Sequence, residues 1–321
     1  MIWKKVDGMF KFGEIRDTNA TYGETITALA AEYPQLVAVE ADLMKAAGSA
    51  PFKEAYPERM FNVGIAEQDA LSFSAGLSEM GKIPFVTGFA CFVAQRACDQ
   101  AVNSIAYNKF NVKVIGTYAC LTSEKNGGTH ISVDDISIYR SIPRFEVYDP
   151  GDANEFAAIL RYAAEHEGPI YIRSNKGKFP TFTPEGREFR PGKGETLHEG
   201  SDVGLITTGL TTAEGIRACD ALEECGIQVE HLHLPSIKPI DREAIAKLAA
   251  KTGRVVTVEN HSIYGGLGSA VAEVICEEQP ARLVRLGLQD HFGETAKLRY
   301  MMHKYGIDDE SIVETIKKWL A

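Results

Sequence analysis

Two hydrophobic rhythms take turns along this chain. Short continuous apolar runs at Leu36–Val39, Ile83–Phe89, Val112–Tyr118, Phe145–Tyr148 and Ile170–Arg173 predict buried strands. Between them the apolar positions recur at helical spacing. Thr18–Tyr33 places Ile26, Leu29, Ala30 and Tyr33 on one face and stops at Pro34. Cys91–Tyr107 reads as helical, and Asp152-Ala153-Asn154-Glu155 has the spacing of a capping box ahead of Phe156, Ile159, Leu160 and Ala163. The same alternation resumes later. Strands are predicted at Val203–Thr207, Val229–Leu234, Val255–Val258 and Arg282–Leu286, and helices at Thr212–Cys225, Arg242–Lys251 and Ser269–Glu277. Ile312, Val313, Ile316, Trp319 and Leu320 form an amphipathic end. Strands alternating with helices predict an α/β fold with two parallel sheets. Between the halves, Lys176–Gly200 holds three prolines and five glycines with little periodicity. We therefore expect a first domain over 1–180, a linker over 181–200 and a second, smaller domain over 201–321. The 321 residues exceed what one core usually serves.

Composition narrows the class. The chain is 45% hydrophobic and carries a formal charge of -10, which argues against general nucleic-acid binding but permits a local basic pocket. Six cysteines, at 91, 98, 120, 219, 225 and 276, form no CxxC pair and no zinc spacing, so reduced thiols are expected. The first residues lack a signal peptide's apolar run, and no run approaches membrane-spanning length. A cytoplasmic location is the expectation.

The most informative stretch is Phe61-Asn62-Val63-Gly64-Ile65-Ala66-Glu67-Gln68-Asp69. It is apolar, turns at a glycine, and delivers Glu67 into the first turn of an Ala- and Gly-rich helix. First-turn acids are common because the helix N-terminus is partly positive. The alternative is an acid facing an apolar site and sharing a proton for chemistry. Other candidates carry similar pairs of readings. Phe89 and Phe92 lie just past a strand end, where core filling competes with a ligand wall. Gly127-Gly128-Thr129-His130 offers a histidine on a flexible loop, catalytic or merely exposed. Arg173, Lys176 and Lys178 cluster at a strand's carboxyl end, as an anion site or as a solvated patch. Gly265-Gly266-Leu267-Gly268 lacks a third glycine at the dinucleotide position, so a tight helix start is favoured over a phosphate loop. His231 and His233 share a strand face, and without a third ligand packing is favoured over metal binding. Gly151-Asp152 is better explained as a helix start than as a metal site.

Taken in order, Gly64–Gln68, Ala75–Leu77, Pro84, Phe89–Phe92, Gln95-Arg96, Gly128–His130, Asp149-Pro150 and Ile172-Arg173 resemble the pyrimidine-binding domain of the transketolase and deoxyxylulose-phosphate synthase group. The resemblance continues through Asp202–Gly209, Val258–Asn260 and Gly265–Gly268 and covers nearly the whole chain. It implies that Glu67 hydrogen-bonds the aminopyrimidine ring nitrogen of thiamine diphosphate, favouring the imino tautomer that deprotonates the thiazolium carbon. It implies that Phe89 and Phe92, with Gln95 nearby, flank the pyrimidine ring. His130 would contact the reacting part of a sugar, and Arg16 and Arg173 would hold its phosphate.

The departures matter too. The GDG-and-asparagine motif that binds diphosphate and Mg2+ is absent. The resemblance thus implies the C-terminal half of a split transketolase: a β-type subunit that shares thiamine diphosphate and Mg2+ with a companion chain, as α2β2. Asn126 and Tyr118 stand where transketolases carry an aspartate and a second histidine, so the sugar substrate would differ. The rivals are the β-subunit of a 2-oxoacid dehydrogenase, whose motif has serine where this chain has Ala66; a deoxyxylulose-phosphate synthase, normally one chain; and a noncatalytic scaffold subunit.

Overall fold

The structure, a computed structural model, describes residues 12–321 in full and the backbone of Lys5–Val6 and Met9–Phe10. In the first half the elements run β1 (Lys5–Val6), β2 (Met9–Phe10), β3 (Ile15–Asp17), α1 (Thr18–Glu32), β4 (Leu36–Glu40), α2 (Met44–Ala47), α3 (Ala50–Ala55), β5 (Met60–Asn62), α4 (Glu67–Glu79), β6 (Ile83–Phe89), β7 (Lys113–Thr117), α5 (Asp135–Ser141), β8 (Glu146–Tyr148), α6 (Ala153–Glu165), β9 (Ile170–Ser174) and β10 (Lys178–Pro180). The second half comprises β11 (Glu195–His198), β12 (Val203–Thr207), α7 (Thr211–Glu223), β13 (Val229–His233), β14 (Ser236–Lys238), α8 (Arg242–Thr252), β15 (Arg254–Ser262), α9 (Leu267–Glu277), β16 (Arg282–Leu288), α10 (Leu298–Lys304) and α11 (Asp309–Leu320).

Two sheets result. The first has the order β14-β8-β9-β7-β6-β4-β5 and the second β11-β13-β12-β15-β16. Only the edge pairs β14–β8 and β11–β13 are antiparallel; the rest of both sheets is parallel, as the alternation predicted. Period two divides each strand between two faces. In the first sheet Phe85, Ile115 and Ile172 meet Tyr22, Ile26, Phe156 and Ile159 of α1 and α6. Val86, Val114 and Tyr171 meet Leu71 of α4, Val93, Ile105 and Ile136 of α5 on the other face.

Several elements were not visible in the pattern. No periodicity marks α5 or α10, which are seven residues each. Part of the expected linker, Glu195–His198, is an edge strand of the second sheet. Strand β14, past the expected boundary, extends the first sheet by pairing with β8. This exchange locks the halves together, with Asp149 N donating to Pro235 O (2.9 Å) and Ser262 N to Val133 O (2.9 Å). Among the described residues no helix is long and apolar enough to cross a membrane. All six cysteines are free; Cys225 and Cys276 are exposed.

Candidate active site

The carboxyl ends of β5, β6 and β7 carry the site. Glu67 is the first residue of α4 and is 1% exposed. It packs over Gly88 on β6, where a Cβ would stand 3.6 Å from Glu67 Cγ, ordinary contact, but only 2.6 Å from Val93 Cγ1. Asn62 shapes the approach, its Oδ1 accepting from Asp42 N (3.1 Å) and Gly64 N (3.0 Å). Glu67 Oε2 accepts from Arg96 Nη1 at 2.6 Å. Oε1 has no protein partner among the described residues. The Arg96 guanidinium also lies 4.2 Å from the centroid of the Phe92 ring, so one arginine links the acid to the aromatic wall.

That wall is a cluster. Phe89 meets Phe92, Tyr118 and His130 at centroid distances of 5.9, 4.8 and 5.7 Å, and Phe92 meets His130 at 5.0 Å, all edge-to-face. Phe92–Arg96 sits in a helical segment whose turns are widened to i+5 bonds, such as Ala97 N to Phe92 O (3.1 Å). Such bulges are frequent at functional sites. Gln95 turns outward and donates to Asp134, with Nε2 2.9 Å from each carboxylate oxygen. Burial pushes the Tyr118 phenol up, so it stays protonated.

His130 and Asn126 ride on a constrained segment. Tyr118, Cys120 and Glu124 have φ of 57°, 44° and 43°. Left-handed conformations of non-glycine residues cost on the order of 1–3 kcal/mol each and gather at functional sites. Asn126 Nδ2 donates to Ser123 Oγ (3.1 Å), and Ser123 Oγ donates to His130 O (3.0 Å). His130 Nδ1 lies 3.0 Å from Thr129 Oγ1.

The structure brings Glu67, Phe89, Phe92, Tyr118 and His130 together, with Gln95 and Asn126 at the rim. It corrects the two arginines. Arg173 is fully buried and directs four of its five N–H donors to the protein: Nε and Nη2 bond Asp135 (2.7 and 3.1 Å), Nη1 bonds Asp149 (3.3 Å), and Nη2 also reaches Asn260 O (3.0 Å). The one N–H left, on Nη1, is enclosed with the rest of the side chain and presents no surface to a phosphate. Arg16 bonds Asn154 Oδ1 (2.8 Å) and lies near Glu24 and Glu185, alongside α1 and α6. Arg173 follows Tyr171 by two residues and points with it toward α5, so the two arginines stand on opposite faces of the sheet. Besides Arg96, a second cation reaches the aromatic cluster: Lys176, with Nζ 4.7 Å from the Tyr118 ring centroid.

The remaining motifs are structural. The start of α9 is filled by the protein's own carboxyl group: Glu259 Oε2 and Oε1 accept from Leu267 N and Gly268 N, both at 2.8 Å. A Cβ on Gly266 would overlap Glu259 Oε2, which is why glycine stands there. His231 and His233 bond Thr207 and Thr212, and His233 also bonds Glu155, each at 2.8 Å. Asp152 caps α6 through Glu155 N (2.8 Å). Sequence reasoning gave no role to Arg96 or Asp134, and weighed Lys176 only as one of a basic cluster with Arg173 and Lys178. The i, i+4 spacing of Phe92 and Arg96 was the available signal for the first; nothing in the sequence pairs Asp134 with Gln95.

Known proteins resemble this chain along most of its length. The family model for the transketolase pyrimidine binding domain matches residues 15–181, and that for the transketolase C-terminal domain matches residues 192–312. The chain is 41% identical to the 6-deoxy-6-sulfo-D-fructose transketolase subunit SqwH of Clostridium sp. (strain MSTE9), covering 91% of each. It is 35% identical to an apulose-4-phosphate transketolase subunit of Phocaeicola vulgatus, covering 92% of this chain and 95% of that protein. A solved split-gene transketolase, an inactive β4 tetramer, superposes with a TM-score of 0.86 at 40% identity, over 96% of this chain and 98% of that one.

Proposed function

Because the chain belongs to the transketolase family, we propose that it is the pyrimidine-binding subunit of a two-chain transketolase that moves a two-carbon ketol unit between anionic sugars. The observation that carries this reading is the buried Glu67 carboxylate, with one oxygen free, at the edge of a ring of four aromatic side chains.

These residues fit thiamine diphosphate. Its aminopyrimidine is a flat, largely apolar ring with one basic nitrogen, and the site offers aromatic edges beside a single desolvated acid. Glu67 would hold a proton toward that nitrogen, while Phe89 and Phe92 would exclude water around it. Gln95, fixed by Asp134, would close the rim. When bound, thiamine diphosphate supplies the carbon nucleophile that carries the ketol unit from donor to acceptor. His130, wedged against Phe89 and Phe92, presents an imidazole to the sugar hydroxyls, and Tyr118 and Asn126 line the same approach. Lys176, above Tyr118, supplies the positive charge for the sugar's anionic group. Two relatives act on a sulfonated and a phosphorylated sugar, and an ammonium suits either anion because it is a point charge with rotatable donors.

Because its relatives include subunits of split transketolases and this sequence carries no GDG motif, we assign the residues for the diphosphate and Mg2+ to a companion chain, with α2β2 as the proposed assembly and the cytoplasm as its proposed place. Expression with and without a candidate companion carrying that motif tests the proposal. Ketol transfer with added thiamine diphosphate and Mg2+ is expected only in the pair; full activity of this chain alone would overturn it.

A further inference from the structure

The segment that carries Tyr118, Asn126 and His130 is held largely from outside its own domain. Three of its non-glycine residues adopt left-handed backbone, which an unrestrained chain would leave. The first domain contributes Ser174 O, accepting from Ala119 N (3.4 Å), and Lys176 N, donating to Thr122 Oγ1 (3.3 Å). The second domain contributes more. Asn260, at the end of β15 and 1% exposed, clamps the turn with both ends of its amide: Nδ2 donates to Ala119 O and Oδ1 accepts from Leu121 N, each at 3.3 Å. Its own carbonyl accepts from Arg173 Nη2, which fixes the clamp to the buried Asp135–Arg173–Asp149 cluster. Further along, Glu124 Oε1 accepts from Leu298 N (2.9 Å) at the start of α10, so the strained residue is pinned by its side chain. Gly128 lies against Gly293: a Cβ at 128 would sit 2.6 Å from Gly293 O.

We propose that Asn260 and Glu124 are positioning residues of the active site: through them the second domain sets the conformation that presents Tyr118 and His130 to the sugar. This rests on the proposed ketol transfer. Neither residue reaches Glu67, Phe92 or Arg96, so cofactor binding and sugar binding separate on mutation.

Asn260→Ala, Glu124→Ala and Glu124→Gln in the reconstituted pair test this, with amide hydrogen exchange over residues 118–131 as a readout that needs no activity. Asn260→Ala should speed exchange across 118–131, lower kcat/KM for the sugar by about 10- to 100-fold, mainly through KM, and leave the thiamine diphosphate Kd within about twofold. Glu124→Ala should do the same more weakly, and Glu124→Gln, which keeps the acceptor oxygen, should restore the unmodified KM. Unchanged exchange and KM in Asn260→Ala would overturn the proposal, as would equal losses in KM and cofactor Kd. Should Asn260→Ala fail to fold, the Glu124 pair decides by the same criteria. Faster exchange in a pair that never transfers a ketol unit would leave the positioning intact and remove the functional reading instead.

Discussion

Each domain buries a glutamate at the start of a helix, and the two are put to opposite uses. Glu259 sits beneath the start of α9 with both oxygens bonded to backbone amides. Its pKa is pushed up to about 8 by burial, against the pull of those amides. Glu67 is the first residue of α4, yet no backbone amide takes it: one oxygen pairs with half-exposed Arg96, which stacks on Phe92 of the aromatic cluster, and the other has no partner among the described residues. A buried acid closed by its own helix is a cap. The same acid left with one free oxygen beside an apolar wall is a binding group. The difference lies in the approach, because Gly266 lets the α9 backbone fold down onto Glu259, whereas the Gly64 turn carries the chain past Glu67.

Exchanging carboxyl for amide at the two positions should separate them most sharply. Glu67→Gln should lower kcat of the reconstituted pair by about 10³-fold or more, with the unfolding midpoint little changed. Glu259→Gln places an NH2 group against one of the two N–H donors and should cost about 1–3 kcal/mol of stability, with turnover per folded molecule close to the unmodified value. Chemical denaturation and steady-state kinetics on both variants check this. Near-normal turnover of Glu67→Gln would remove the contrast.

The next effect concerns the group that couples the two regions. Arg173→Ala would leave Asp135 and Asp149 buried without their cation, and breaking a buried pair in this way costs about 3–5 kcal/mol. Loss of soluble, folded chain is therefore expected. A folded Arg173→Ala variant with a KM defect confined to anionic sugars would return Arg173 to the substrate.

Much of this was legible in advance. The strand–helix alternation placed both sheets, and the motif order brought Glu67, Phe89, Phe92 and His130 into one site. Arg173 was misread because its spacing at a strand's carboxyl end is the same for a ligand-facing residue and for one turned into an interdomain contact. Only Asp135 and Asn260, distant in sequence, reveal which it is. Helix α5 and strand β14 were missed for a related reason: they are short, and their partners rather than their periodicity make them form.

A third buried glutamate sharpens the comparison through pH. Glu40, at the carboxyl end of β4, accepts from Ser49 Oγ (2.5 Å), while Oε2 has no partner. Burial pushes its pKa up to about 8 from an ordinary 4.5. Between those values the folded chain binds the proton and the unfolded chain does not, so stability falls as pH rises. The loss between pH 5 and pH 8 should be on the order of 3 kcal/mol. Glu40→Gln should reduce that slope by Glu40's share and leave the share of Glu259, raised to about 8 by the same cause, as read from denaturation midpoints across the range. An unchanged slope would mean that Glu40 is ionised in the fold.

The smallest effect distinguishes the sugar's anion from the cofactor. Lys176 is the cation over Tyr118, held there by the ring rather than by a carboxylate among the described residues. Its ammonium is free to meet a phosphate or sulfonate at partly exposed, water-screened distances, where one charge-assisted contact is worth about 1.5 kcal/mol. Lys176→Ala should therefore raise KM for an anionic sugar about tenfold, with kcat and the thiamine diphosphate Kd nearly constant. A neutral sugar of the same length should show no such change. Equal losses on charged and neutral sugars would make Lys176 a support for Tyr118, and the anion would then have to be bound by the companion chain.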